Sequence, residues 1–212
     1  MIKIERAETF NFYGALRGMR NPHKSWHLSD TPKCSLTGTM QHFNIIGDKD
    51  LELAQKLIRA GTDHSKFMRQ IFVSMDITAP LYWWKEMDTY KVGTTANSES
   101  TMHKLHTKPI TLSDFSVDDY SIEILSLLEW VVALCENLRL EYVEKQDKEC
   151  WRTLIQLLPC SYNQTRTWTA NYQVLRNIYH SRKNHKLSEW KEFCKQVLEL
   201  PYGNELIAYK GE

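Results

Sequence analysis

The sequence carries no excess of charge of either sign. Its 27 lysines and arginines are matched by 26 aspartates and glutamates, so the formal net charge is only +1. Proteins that bind nucleic acid or an anionic membrane through a general electrostatic field usually have a strong basic excess. We therefore expect no nucleic-acid partner and no membrane partner, and a charged ligand must be recognised by local groups.

Cysteine is scarce and follows no pattern. The five cysteines are widely spaced and include no C-x-x-C pair, which argues against a disulfide framework or a zinc site. His103 and His106 are three residues apart, but no acidic residue is spaced to complete a metal site with them. The sequence predicts no metal and a cytoplasmic location with reduced thiols.

The sequence also lacks a long uninterrupted apolar run. Its most apolar stretch, residues 122–140, contains four charged residues and is typical of a buried helix, not of a membrane span. The N-terminal residues carry charges where a signal peptide is apolar, so we expect no export. The motifs G-x-S-x-G, G-x-G-x-x-G and the Walker loop are absent, which leaves hydrolase and kinase functions without support.

The patterns that are present predict strands early in the chain and helices late. Strands are expected at 2–12, 39–46 and 70–78, with an irregular segment at about 13–33 and a loop at 92–101. Helices are expected at 48–60, 81–90, 117–144, 148–158, 168–182 and 187–198. This order predicts one α+β domain over residues 1–212, with a mixed or antiparallel sheet packed against a layer of long helices.

The segment from Trp168 to Arg182 has two polar residues, an asparagine and an arginine, on its apolar side. At helical spacing, Trp168, Asn171 and Arg182 lie in one stripe with two aliphatic residues. A half-buried guanidinium needs a carboxylate or phosphate partner, because it cannot lose its charge. The alternative is that Arg182 ends the helix and extends into water near the negative pole of the helix dipole.

The segment from Lys91 to Thr101 is rich in small hydroxyl residues. Hydroxyls and backbone amides of such a loop are suited to bind a phosphate group. The same composition is equally typical of a loop that only meets solvent. By itself, the segment leaves both interpretations open.

Two separated parts of the sequence, read together, resemble the flavin-dependent thymidylate synthases. The first is the run from His64 to Pro80, in which a histidine precedes a strand that ends in Ala-Pro. The second contains a Leu-Pro pair, then Trp-Thr, two asparagines and an arginine, and a later Ser-Glu-Trp: Leu158-Pro159, Trp168-Thr169, Asn171, Asn177, Arg182, Ser188-Glu189-Trp190. Order and spacing carry the resemblance, which covers residues 50–200.

The resemblance implies a fold, a reaction and a set of site residues. Enzymes of this family methylate dUMP with a folate and reduced FAD, and they are homotetramers with sites shared between subunits. The resemblance makes Arg182 the catalytic and pyrimidine-contacting residue. It implies cofactor contacts for His64, Lys91 and Asn177, and substrate contacts for Thr94, Ser100 and Asn171.

The sequence departs from the family signature at the segment expected to hold the flavin phosphates. Thr89-Tyr90-Lys91 stands where the family has Arg-His-Arg, and Thr101-Met102 stands where it has Arg-Tyr. One lysine does not reproduce the bidentate grip of arginine on a diphosphate. Two functions therefore follow: a thymidylate synthase-like flavin enzyme acting on a pyrimidine nucleotide, or a flavin-free relative that binds or sequesters a nucleotide or another phosphorylated ligand. A third interpretation is an interaction protein that keeps only the fold.

Overall fold

A computed structural model describes residues 2–32 and 44–211. It contains four strands and seven α-helices in those residues, and the predicted α+β class is confirmed. The elements are β1 (Lys3–Phe10), α1 (Phe12–Arg20), α2 (Asp48–Arg59), β2 (Phe72–Pro80), α3 (Leu81–Met87), β3 (Thr95–Ser98), α4 (Ile122–Lys145), α5 (Lys148–Leu157), β4 (Asn163–Asn171), α6 (Tyr172–Arg182) and α7 (Ser188–Val197). A π-helical turn, Gly203–Ala208, follows α7.

The strands form one sheet in the order β1-β2-β4-β3. The predicted alternation along β2 is confirmed: Val73, Met75 and Ile77 are buried, whereas Phe72 on the other face is 44% exposed. One face of this strand lies wholly in the core. A shift of one residue in its register would bring that apolar set into water, so the alternation determines the register.

The chain divides into two compact units. The first consists of Met1–Lys3, Ile77–Thr89 and Asn97–Thr167, and the second of Ile4–Asp76, Tyr90–Ala96 and Trp168–Glu212. Strands β2 and β4 contribute residues to both units. That the two units form one domain remains a prediction from the sequence.

Helices α4 and α5 pack together in the first unit. Its core consists of aliphatic and aromatic side chains with one buried thiol: Leu105, Ile110, Phe115, Leu128, Val132, Cys135, Leu154 and Tyr162. Arg139 on α4 donates to both carboxylate oxygens of Glu136, at 2.7 and 2.6 Å. This hydrogen-bonded guanidinium holds the pKa of the Glu136 carboxyl below its ordinary value.

The helix predicted to be buried over residues 122–140 is present, but it is buried on one side only. Only one side of α4 packs on the core, and the opposite side exposes Leu127 at 61% and Trp130 at 73%. With Ile124 and Leu134 they form an exposed apolar stripe at helical spacing. Within the described ranges, no helix is both long and apolar enough to cross a membrane.

The predicted helix from Trp168 to Arg182 is wrong in its first four residues. Trp168 belongs to β4, and the helix begins only at Tyr172. Threonines at 165, 167 and 169 alternate with other residues, and this period of two favours a strand that pairs inside the sheet. Asn171 is the N-cap of α6, since its side chain accepts a hydrogen bond from the Val174 N–H at 3.0 Å.

Other predicted boundaries also differ from the structure. Residues 13–20, expected to be irregular, belong to α1 together with Phe12, which was expected to end the first strand. Phe12, Ala15, Leu16 and Met19 repeat at helical spacing and are buried. The expected loop 92–101 contains the exposed edge strand β3. The strand expected at 39–46 lies mostly outside the described residues, and its last three residues are not in a strand.

Candidate functional site

Arg182 lies at the end of α6 against two aromatic rings. Its Nε donates a hydrogen bond to the Tyr90 hydroxyl at 2.9 Å. Its guanidinium carbon lies 4.9 Å from the ring centroid of Trp190 and 5.7 Å from that of Tyr90. The side chain is partly buried, and cation–π contacts with two rings stabilise its charge in this position. The sequence left two alternatives for Arg182, an anionic partner or extension into water. Neither of them predicts contact with two aromatic rings.

Two neighbours of Arg182 are deeply buried. Trp190 on α7 has no exposed surface, and its ring packs edge to face with Tyr90 at 6.1 Å. Burial raises the pKa of the nearby Cys194 thiol to about 11, although the charges of Arg182 and Lys183 act in the opposite direction. The thiol is therefore protonated at neutral pH and is unsuited to act as a nucleophile.

The turn from Tyr90 to Thr94 packs along α6. Thr94 Oγ1 donates to the Tyr90 carbonyl at 2.5 Å, which closes the turn. Gly93 has a φ of +75°, and a Cβ at this position would lie 2.9 Å from Asn171 Nδ2. Glycine is thus required both by the backbone conformation and by the close approach to Asn171.

Four of the predicted site residues therefore belong to one cluster. Asn171 caps the start of α6 and Arg182 ends the helix. Eleven residues correspond to slightly more than three full turns, so the two lie at opposite ends of one side of α6. The turn that carries Lys91 and Thr94 contacts both ends of that side, through Gly93 and Tyr90. We call these four residues the α6 cluster. Lys91 is its exposed cation.

His64 and Asn177 lie on a different side of α6. Asn177 accepts a hydrogen bond from Gln173 at 3.0 Å, and Gln173 in turn accepts one from Ser65 at 3.3 Å. Asn177 precedes Arg182 by five residues, which places it about 140° around the helix. The chain of hydrogen bonds connects this side of α6 to the turn that carries His64, and His64 lines a cavity of about 400 Å³.

Ser100 lies in the other compact unit. Its Oγ accepts a hydrogen bond from the His103 N–H at 2.9 Å, and the residue lines a cavity of about 200 Å³ together with Lys104, Lys108 and Tyr162. Burial alone would lower the pKa of the Lys108 ammonium, but the neighbouring Tyr162, Asp114 and Glu99 raise it above its ordinary value. The structure thus places two lysines beside Ser100 that the sequence did not point to.

The Thr89–Lys91 segment uses two of its side-chain hydroxyls within the protein. The Thr89 hydroxyl donates to the Glu86 carbonyl at 2.7 Å, and the Tyr90 hydroxyl accepts from Arg182. Lys91 is the only cation of the three. With these contacts, the three residues are not suited to bind the diphosphate of a flavin.

Sequence reasoning did not identify Tyr90 as a site residue. It was expected to end α3, but that helix ends at Met87, and this earlier end frees Tyr90 to meet Arg182. The available signal was an aromatic residue at the position of the signature histidine. Among the described residues, no group of histidine, cysteine and acidic side chains is arranged to hold a metal ion.

Comparisons with known proteins establish the fold. No model of a known protein family matches the sequence, and a search of curated proteins finds no match. Two crystal structures of the flavin-dependent thymidylate synthase ThyX from Helicobacter pylori, each with FAD and dUMP, superpose with a TM-score of 0.73 at 17% identity. The alignments cover 98% and 99% of this chain and 97% and 99% of the ThyX chains. The chain therefore has the fold of a ThyX thymidylate synthase over essentially its whole length.

Proposed function

We propose that this protein binds a pyrimidine nucleotide at the α6 cluster without using a flavin. The observation that carries the proposal is the position of Arg182, held by Tyr90 and Trp190 in a fold whose solved examples contain dUMP. A guanidinium oriented in this way is suited to bind a carbonyl oxygen of the uracil ring. Asn171, Thr94 and Lys91 supply the other polar groups of the cluster. A substrate contact at Ser100 remains a prediction from the sequence.

Our proposal excludes a flavin because the Thr89–Lys91 segment offers too few charged groups to bind its diphosphate. A pair of lost charge-assisted hydrogen bonds, at roughly 1.5–3 kcal/mol each, weakens binding by about two to four orders of magnitude. The structure offers Lys91 alone in place of two arginines, and the other two side chains are already bonded within the protein.

The second candidate is a flavin-dependent methylation of dUMP with a folate. It is favoured by the cavity of about 400 Å³ beside His64 and by the FAD in the similar ThyX structures. His64, Asn177 and Lys91 would then contact the flavin, and Arg182 would stabilise negative charge that develops on the uracil. A flavin bound in that cavity would supply the redox chemistry.

One titration separates the two candidates. Purified protein is incubated with FAD, desalted and examined for flavin absorbance, and dUMP is then titrated with and without FAD while the melting temperature is recorded. Our proposal predicts colourless protein and stabilisation by dUMP alone, worth about 2.7 kcal/mol at one hundred times the Kd. A yellow protein whose affinity for dUMP rises with FAD would establish the second candidate. Absence of any effect of dUMP would contradict our proposal.

We also propose that the chain forms a homotetramer and that the exposed apolar stripe of α4 forms one of its interfaces. A soluble surface rarely leaves several large apolar side chains uncovered along a helix, because their contact with water is unfavourable. Leu127 and Trp130 are more than half exposed, and a second copy of the chain presents the same stripe for an isologous contact. His64, Lys91 and Asn177 are also exposed, as expected for sites completed between copies. A cytoplasmic location remains a prediction from the sequence.

The native mass tests this assembly. We expect about four times the 25.0 kDa mass of one chain, and a smaller species for Trp130→Glu, because a carboxylate in an apolar contact loses its hydration. Gln156→Glu adds the same charge at an exposed position of α5 and should leave the native mass unchanged. A wild-type monomer would contradict the proposal.

A further inference from the structure

A third cavity lies beside α1, within the second compact unit. Its volume is about 330 Å³, and it is lined by α1 and by the segment from Trp26 to Thr31. We call it the α1 cavity. None of its described lining residues is acidic, and none belongs to the α6 cluster or lines the cavity beside His64. Its volume falls at the lower end of the range for small-molecule sites.

An oriented aromatic ring forms one wall of the α1 cavity. Trp26 is 49% exposed, yet its Nε1 donates a hydrogen bond to Asn21 Oδ1 at 2.8 Å. This bond restrains an indole that would otherwise rotate in solvent. Tyr13 contributes a second aromatic side chain to the lining. An aromatic surface that is already oriented binds a planar ligand at a lower entropic cost.

Arg20 brings a fixed positive group to the same cavity. Its Nε donates to Asp50 Oδ1 at 2.5 Å, while Ser29 and Thr31 hydroxyls each donate to Oδ2 of that aspartate at 2.6 Å. The Nη1 of Arg20 makes only long contacts with Ser25, at 3.4 and 3.5 Å. Its Nη2 has no hydrogen bond with any described residue, and it is not among the buried polar atoms that lack a partner, so this nitrogen of the largely buried side chain keeps some accessible surface at the cavity. A guanidinium nitrogen in this position is available to an acceptor on a ligand.

Arg17 adds a second cation one turn earlier on α1. It is exposed and forms no ion pair with any residue that the structure describes. Residues three apart are neighbours on a helix surface, so both guanidinium groups lie on the face of α1 that lines the cavity. Asp50 is the counter-ion of Arg20, and Arg17 is the cation of the lining that has no such partner among the described residues. The Asp30 carboxylate accepts from the Lys49 and Asp50 N–H groups and does not line the cavity.

We propose that the α1 cavity binds an aromatic anion of up to mononucleotide size. The ring lies against Trp26, and the anionic group accepts hydrogen bonds from Arg17 and from Nη2 of Arg20. A phosphate and a carboxylate share the required chemistry, since both are oxyanions that match the guanidinium fork. This site is independent of the nucleotide site proposed at the α6 cluster.

Fluorine NMR of protein containing 5-fluorotryptophan tests the proposal. The Trp26 resonance is assigned by its loss in Trp26→Phe, and four probes are titrated separately: AMP, benzoate, adenosine and inorganic phosphate. We expect AMP or benzoate to shift the Trp26 resonance saturably, at concentrations at least tenfold below those at which adenosine or phosphate acts. AMP alone would identify a phosphate ligand, and benzoate alone a carboxylate ligand. No saturable shift with either aromatic anion would overturn the proposal.

Variants separate this site from the α6 cluster and from general charge effects. Arg17→Ala should weaken binding of the effective anion at least tenfold without unfolding the protein, because the side chain is exposed. Arg152→Ala removes an equally exposed helical arginine on α5 and should have no effect. Arg182→Ala should also leave this binding intact, whatever it does to dUMP. Wild-type affinity in Arg17→Ala, or loss of the Trp26 shift in Arg182→Ala, would contradict the assignment.

Discussion

Arg182→Ala is expected to weaken dUMP binding by about 10-fold to 150-fold. The range corresponds to roughly 1.5–3 kcal/mol for one hydrogen bond to a charged group. Arg182 is held by Tyr90 and Trp190 before any ligand arrives, so binding requires little additional ordering of its side chain. The measurement is a calorimetric titration of dUMP into the wild-type protein and the variant.

Three further variants show whether the effect belongs to the guanidinium. Arg182→Lys keeps the charge but loses the planar fork, so we expect an intermediate affinity. Tyr90→Phe keeps the ring and removes the hydroxyl that orients Nε, and its loss should be smaller than that of Arg182→Ala. Arg152→Ala removes an exposed helical arginine elsewhere and should bind as the wild type does. An unchanged affinity of Arg182→Ala for dUMP would contradict the proposed nucleotide site.

Asp50→Ala is expected to lower the free energy of unfolding by about 3–5 kcal/mol. Asp50 has no exposed surface, and its partner Arg20 is 4% exposed. Removal of the carboxylate leaves a guanidinium in the interior without its counter-ion and takes the acceptor from the Ser29 and Thr31 hydroxyls. For a chain of this length, the melting temperature should fall by roughly 6–20 °C, which thermal unfolding followed by circular dichroism measures.

Controls for Asp50→Ala come from the same helix and from the pair itself. Asp48→Ala removes an exposed carboxylate from the first turn of α2 and should cost no more than about 1 kcal/mol, the value of its interaction with the helix dipole. The double variant Arg20→Leu with Asp50→Leu removes both charges and should recover part of the loss. If Asp50→Ala melts with the wild type, the buried ion pair does not stabilise the fold.

The sequence predicted those elements that have core on one side and solvent on the other. Strand β2 alternates because one of its faces is entirely in the core, and Gly61 ends α2 with a φ of +109° that other residues rarely adopt. Helix α7 was predicted to within one residue at its ends. Local chemistry is enough in these cases, since solvent on one side and core on the other impose the period.

The stretch from Trp168 to Asn171 shows where the local pattern misleads. The spacing of Trp168, Asn171 and Leu175 matches a helical period, but the same residues also satisfy a strand followed by an N-capped helix. Pairing of β4 between β2 and β3 decides between them, because only the sheet provides partners for the backbone groups of residues 163–171. That choice depends on residues far away along the chain.

The candidate site depends even more on distant contacts. Sequence and resemblance pointed to Arg182, but its contact with Tyr90 joins residues 92 positions apart, and the pair of Arg20 and Asp50 spans 30. Composition and periodicity are enough for the α+β class and for most helices, since each depends on neighbouring residues. The surroundings of Arg182, the free face of α4 and the cavity beside α1 are decided only by tertiary structure, because burial and charge pairing arise when separate segments meet.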